Sequence, residues 1–140
     1  MKTYNARKVF NFDDVLPLDG EDTVDIILLG GSVNVRIFYT DSDTDEKMLL
    51  TLIFDYSGYF LKSTIPGYGV FGYEGKTDPS TLDSLVEYER SDWVDNICKF
   101  TEWGGLRLSH YKAFFLSAGI VLDVVSPSWR ILDPVKVSST

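Results

Sequence analysis

Polar and apolar positions alternate through much of the first half of the chain. Residues 32–40 place Val33, Val35, Ile37 and Tyr39 on one face and Asn34, Arg36 and Phe38 on the other, the period-two pattern of a strand. Residues 24–29 are mostly apolar and end at Gly30-Gly31, so the two runs predict a β-hairpin. Residues 48–56 carry apolar side chains on both faces, as expected of a central strand covered on both sides. Ser57-Gly58 then turns the chain into a further strand over 59–65, extending an antiparallel meander. Val9, Phe10 and Phe12 suit an edge strand before it.

The second half changes period. Trp93, Val94, Ile97, Phe100 and Thr101 recur at helical spacing, with Asp92, Asp95, Asn96, Lys99 and Glu102 opposite. Ser91 is a suitable N-cap and Gly104-Gly105 a stop, which predicts a helix over about 91–103. Residues 106–116 and 120–125 read as a last hairpin around Ser117-Ala118-Gly119. Between the halves, the Gly/Pro-rich residues 66–79 break regular structure, and 80–90 fit helix or strand equally. Pro127 and Pro134 punctuate a tail expected along the surface.

The pattern predicts an α+β fold. One mainly antiparallel twisted sheet of six to eight strands carries the helix, with Trp93, Ile97 and Phe100 facing Leu52, Phe54 and the strand over 111–115. At 140 residues, 44% hydrophobic and 14% aromatic, the chain fits a single globular domain over 1–140. No apolar run approaches the ~20 residues that cross a bilayer, and residues 1–14 lack the apolar segment of a signal peptide. A lone Cys98 allows no internal disulfide, so a cytoplasmic location is expected.

Charge narrows the functions further. The net charge of −8 opposes binding to phosphate backbones, so no nucleic-acid or membrane partner is expected. The same field steers association with a basic protein. The carboxylates expected to meet it are Asp13, Asp14, Asp19, Glu21, Asp22, Asp41, Asp43, Asp45 and Glu46.

Candidate chemistry is sparse. Gly67, Gly69 and Gly72 match the spacing of a dinucleotide-binding loop, but the residues up to Pro79 do not open the helix such a loop needs. Gly75-Lys76-Thr77 ends like a phosphate-binding loop whose first glycine is replaced by Val70. Asp41, Asp43 and Asp45 open like a calcium loop, yet Glu46 and Leu52 occupy the positions that require glycine and glutamate. His110 is the only histidine, which excludes a multi-histidine metal site. A Cys98–His110 dyad would need an exposed thiolate, whereas Cys98 beside the apolar face reads as a small hydrophobe and His110 as a structural residue with a backbone or carboxylate partner. No catalytic residue, cofactor or metal is expected. Tyr68, Phe71 and Tyr73 suit either a recognition loop or aromatics folded over the sheet.

Ser91-Asp92-Trp93, Leu108-Ser109-His110-Tyr111 and residues 119–129 together resemble a loose group of small bacterial proteins. Phe12-Asp13-Asp14 matches the group's N-terminal motif in part. That group is similar to the immunity proteins encoded beside polymorphic toxins. The resemblance implies a non-enzymatic protein that neutralises a basic toxin, with Trp93, His110 and Tyr111 as fold determinants. The alternatives are a structural assembly protein, for which a homodimer is open, and a small Cys/His hydrolase.

Overall fold

The computed structural model describes residues 3–57, 59–64, 83–100 and 107–137. In order these form β1 (Thr3–Asn11), a 3-10 turn (Phe12–Asp14), β2 (Thr23–Leu29), β3 (Ser32–Thr40), β4 (Lys47–Phe54) and β5 (Tyr59–Thr64). Then come β6 (Ser84–Ser91), α1 (Asp92–Phe100), β7 (Ser109–Phe115), β8 (Ile120–Ser126), β9 (Arg130–Ile131) and β10 (Val135–Lys136). The expected α+β class, with antiparallel pairing and one principal helix, is what the chain adopts.

The layering differs from a single sheet of six to eight strands. Ten strands form two five-stranded sheets, one ordered β1-β6-β7-β8-β5 and the other β10-β4-β3-β2 with β9 also on β4. The meander therefore ends at β4. At residues 55–57 the chain crosses layers: the Ser57 hydroxyl donates to the Val125 carbonyl (2.8 Å) and the Ser126 hydroxyl to that of Asp55 (2.6 Å). β5 then pairs with β8 at the far edge of the other sheet. The physical reason is burial, since a sheet apolar on one face needs a second layer to cover it.

One core fills the space between the sheets. Val33, Val35, Ile37 and Tyr39 of β3 and Leu50, Leu52 and Phe54 of β4 meet Leu85, Tyr111, Phe115, Leu122 and Val124 of the facing sheet. Phe54 and Tyr111 pack with ring centroids 5.5 Å apart, and Phe12, in the turn after β1, lies 5.4 Å from Phe115. Each buried aliphatic side chain here contributes about 1.5–3 kcal/mol relative to exposure.

Residues 84–91, left open by their pattern, are a strand between β1 and β7. Leu85 and Val86 are both buried, which the adjacent, opposite-facing residues of a strand covered on both faces achieve. The helix does not face Leu52 and Phe54 as expected. It lies on the outer face of the β1–β5 sheet, where Ile97 joins Leu108 and Val125, with Trp93, Val94 and Tyr59 packed around them. The expected helix end and the double-glycine stop fall outside the described residues. The tail runs along the surface as expected, and there β9 and β10 extend the sheet beside β4. Arg130 also donates to Asp55 (2.9 Å), and that bond holds the Asp55 carboxyl below the usual carboxylate range.

Candidate functional site

The strand register collects the acidic turns at one end of the sandwich. β1 ends where β6 begins (Asn11 opposite Ser84), and β7 turns into β8 at that same end. In the other sheet β2 begins beside the end of β3, and β3 turns into β4 there (Thr40 opposite Lys47). The β1–β2 connection joins both layers. The Ala118 N–H donates to the Glu21 carboxylate (2.9 Å), and the Ser117 hydroxyl to the Asp19 carbonyl (3.0 Å). Gly20 (φ +80°) permits this approach, since a Cβ there would stand 2.6 Å from Ser117 Oγ.

The expected partner-binding carboxylates thus share an end, but not a role. Glu21 is buried with its carboxylate committed to Ala118. Asp22 accepts from Thr40 (2.8 Å) and lies 3.6 Å from Lys47, while Glu46 pairs with Lys136 at 3.1 Å. Asp41 accepts the N–H groups of Asp43 (2.8 Å) and Thr44 (3.2 Å), which makes the calcium-like turn self-satisfied. Asp45 holds a left-handed φ of 58°. Asp14, Asp19 and Asp43 are exposed and, among the described residues, pair with no lysine or arginine.

Carboxyls crowd one another at this end. A hydrogen bond with Asp83, then partial burial and the Asp83 and Asp14 charges, raise the Asp13 carboxyl above its ordinary value. Burial pushes Asp83 up, but hydrogen bonds from Asp13 and Ser84 bring it below its ordinary value. Like charges at short range oppose one another's ionisation.

The opposite end holds a second constellation that the sequence pattern did not reveal. His110 is fully buried; its Nε2 lies 2.7 Å from Asp123 Oδ1 and its Nδ1 lies 2.8 Å from Ser91 Oγ. Trp93 and Tyr88 meet the ring edge-on at centroid distances of 5.4 and 4.9 Å. Lys112, also buried, places Nζ 3.9 Å from the same Asp123 oxygen. Strand pairing explains the grouping, because Lys112 stands opposite Asp123 and His110 opposite Val125. All three point away from the inter-sheet core, towards the face that α1 covers. Cys98, read beside the apolar face as a small hydrophobe, is exposed, and both His110 nitrogens are engaged elsewhere, so no Cys98–His110 dyad forms.

Burial pulls the Lys112 ammonium below its ordinary value, against the attraction of Asp123. An unfolded lysine titrates near 10.4, so below that value the unfolded chain binds more protons at this residue than the folded one. Stability should therefore rise with pH across the window between the lowered value and about 10.4. Urea unfolding at stepped pH, wild type against Lys112→Met, checks this. The wild-type-minus-variant difference should climb towards pH 10, and a flat difference would contradict it.

Two cavities lined by described residues border this end. One of about 650 Å3 is lined by Arg7, Glu87, Glu89, Arg107 and Tyr111 among others. A smaller one of about 140 Å3 is lined by Ser91, His110 and Leu108, and shares Glu87, Glu89, Arg107 and Ser109 with the first. Among the described residues no cluster of three or more His, Cys, Asp or Glu side chains could hold a metal ion. No described helix is long and apolar enough to cross a membrane. The dinucleotide-like and phosphate-loop-like glycines and the aromatic loop at 68–73 lie outside the described residues. Comparison of the chain with protein families, with curated proteins and with solved structures returns no match.

Proposed function

We propose that the protein is a binding module of the immunity type, which neutralises a basic toxin or effector by covering it with its acidic end. The observation that carries this reading is the convergence of the β1–β2 connection, the β3–β4 turn and the start of β6 on one end of the sandwich. There Asp13, Asp14 and Asp83 crowd one another, which raises the Asp13 carboxyl above its ordinary value. A cationic surface relieves that crowding on contact, and the net charge of −8 speeds encounter from a distance. The resemblance at Ser91–Trp93 and Leu108–Tyr111 points the same way, and binding of this kind needs no catalytic step. Asp14, Asp19 and Asp43 are its contact residues of choice, since their carboxylates have no structural duty within the described fold.

Neutralisation tests the reading. Coexpressed with the toxin domain encoded beside its gene, the protein should protect the host cell. The triple variant Asp14→Lys, Asp19→Lys, Asp43→Lys adds two charges per site and brings the net charge from −8 to −2. It should associate at least ~10-fold more slowly at low ionic strength, with a much flatter salt dependence. The reading fails if no toxic product is encoded there, or if association is indifferent to both salt and charge reversal.

A further inference from the structure

The Ser91–His110–Asp123 constellation lies far from the acidic end and is not used by the binding reading. We propose that Ser91 is an acylatable nucleophile, activated by His110 and Asp123, that cleaves short-chain carboxylic esters. This activity stands or falls independently of toxin binding.

The hydrogen bonds run in the direction that nucleophilic catalysis requires. An ionised Asp123 only accepts, so the 2.7 Å contact places the imidazole proton on Nε2. On the neutral ring Nδ1 is then a bare lone pair, and the Ser91 hydroxyl, 2.8 Å away, donates to it. The serine is thus set to lose its proton to a base that is oriented and charge-stabilised from behind.

Its position in the fold supplies the other requirements. Ser91 is the last residue of β6 and immediately precedes α1, so it occupies a strand-to-helix corner. The first N–H groups of the helix have no intrahelical acceptor and lie beside the nucleophile in sequence, where an oxyanion would develop. Ser91 is only 2% exposed, so access runs through the cavity of about 140 Å3 that it lines with His110. That volume suits a small acyl group and excludes a long chain.

The step balances. Ser91 Oγ bonds to the carbonyl carbon as its proton passes to His110 Nδ1, and the carbonyl oxygen takes up the electron pair. Collapse expels the alcohol, which leaves with that proton. Water, deprotonated by His110, then attacks the acyl-serine, releasing the acid and returning the proton to Ser91. Ester and water become acid and alcohol, with no other reactant.

The test treats the full chain with an alkyl fluorophosphonate, which phosphonylates an activated serine with loss of fluoride. One adduct per chain is expected, mapped by peptide mass spectrometry to Ser91 and absent from Ser91→Ala. His110→Gln, checked for folding by circular dichroism, should slow labelling ~100-fold or more. Hydrolysis of p-nitrophenyl acetate should disappear in Ser91→Ala. An unlabelled Ser91 in the wild-type protein overturns the proposal without recourse to any variant. Labelling without ester turnover, or equal turnover by wild type and Ser91→Ala, overturns the esterase assignment.

Discussion

Asp123→Ala should destabilise the protein by about 3–5 kcal/mol, the cost of removing one partner from a buried charged network. Asp123 is wholly buried, accepts from His110 Nε2 and is the carboxylate beside the buried Lys112 ammonium. Alanine supplies neither acceptor nor charge, so both groups lose a partner that solvent cannot replace. Domains of this kind have about 5–15 kcal/mol in all, so the variant should be partly unfolded under mild conditions. Asp123→Asn keeps an acceptor without the charge and should fall between wild type and alanine. Urea unfolding with an unchanged slope measures both. A loss under about 1 kcal/mol in Asp123→Ala would mean that the network does not help to hold α1 against the sheet.

Phe115→Ala should cost about 3–5 kcal/mol by a different route, the cavity left when a buried ring is removed. Phe115 is 1% exposed and lies in the core shared by both sheets, against the ring of Phe12. Phe12 belongs to the short turn from which the β1–β2 connection leaves, so the loss should also loosen the acidic end. Two readouts separate the effects. The urea midpoint should fall, and hydrogen exchange at the Gly20 and Ala118 amides should quicken more than at β3. Equal protection at both places would show that the connection does not depend on Phe115.

The strands were legible wherever one face alone is buried. Residues 32–40 alternate so regularly that β3 follows from them directly, and residues 93–101 show a helical face as plainly. What local pattern could not show was partnership. Nothing in residues 59–64 says that they pair with β8 rather than β4, because that choice depends on how two layers cover one another. The acidic turns were legible as a composition, but their convergence needed the register of both sheets. The Ser91–His110–Asp123–Lys112 network had one faint signal. Lysine and aspartate interrupt strands that are otherwise almost wholly apolar, and in a hairpin around Ser117-Ala118-Gly119 they fall opposite each other. Two such interruptions in register are more economically explained as partners than as accidents, since an unpaired buried charge is expensive.

The pairing of β1 with β6 has a consequence for how the protein is made. Thr3 lies against Ser91, so the first strand has no neighbour in its sheet until most of the chain has left the ribosome. At roughly 5–20 residues per second that wait lasts several seconds, far longer than the microseconds a hairpin needs. The β2–β4 meander can assemble meanwhile, leaving its apolar face uncovered. Closure of the sandwich is then a late, long-range event that places folding among the slower, millisecond-to-second β topologies. During that interval the nascent chain, with Val9, Phe10 and Phe12 exposed, is the form most open to aggregation and to chaperones.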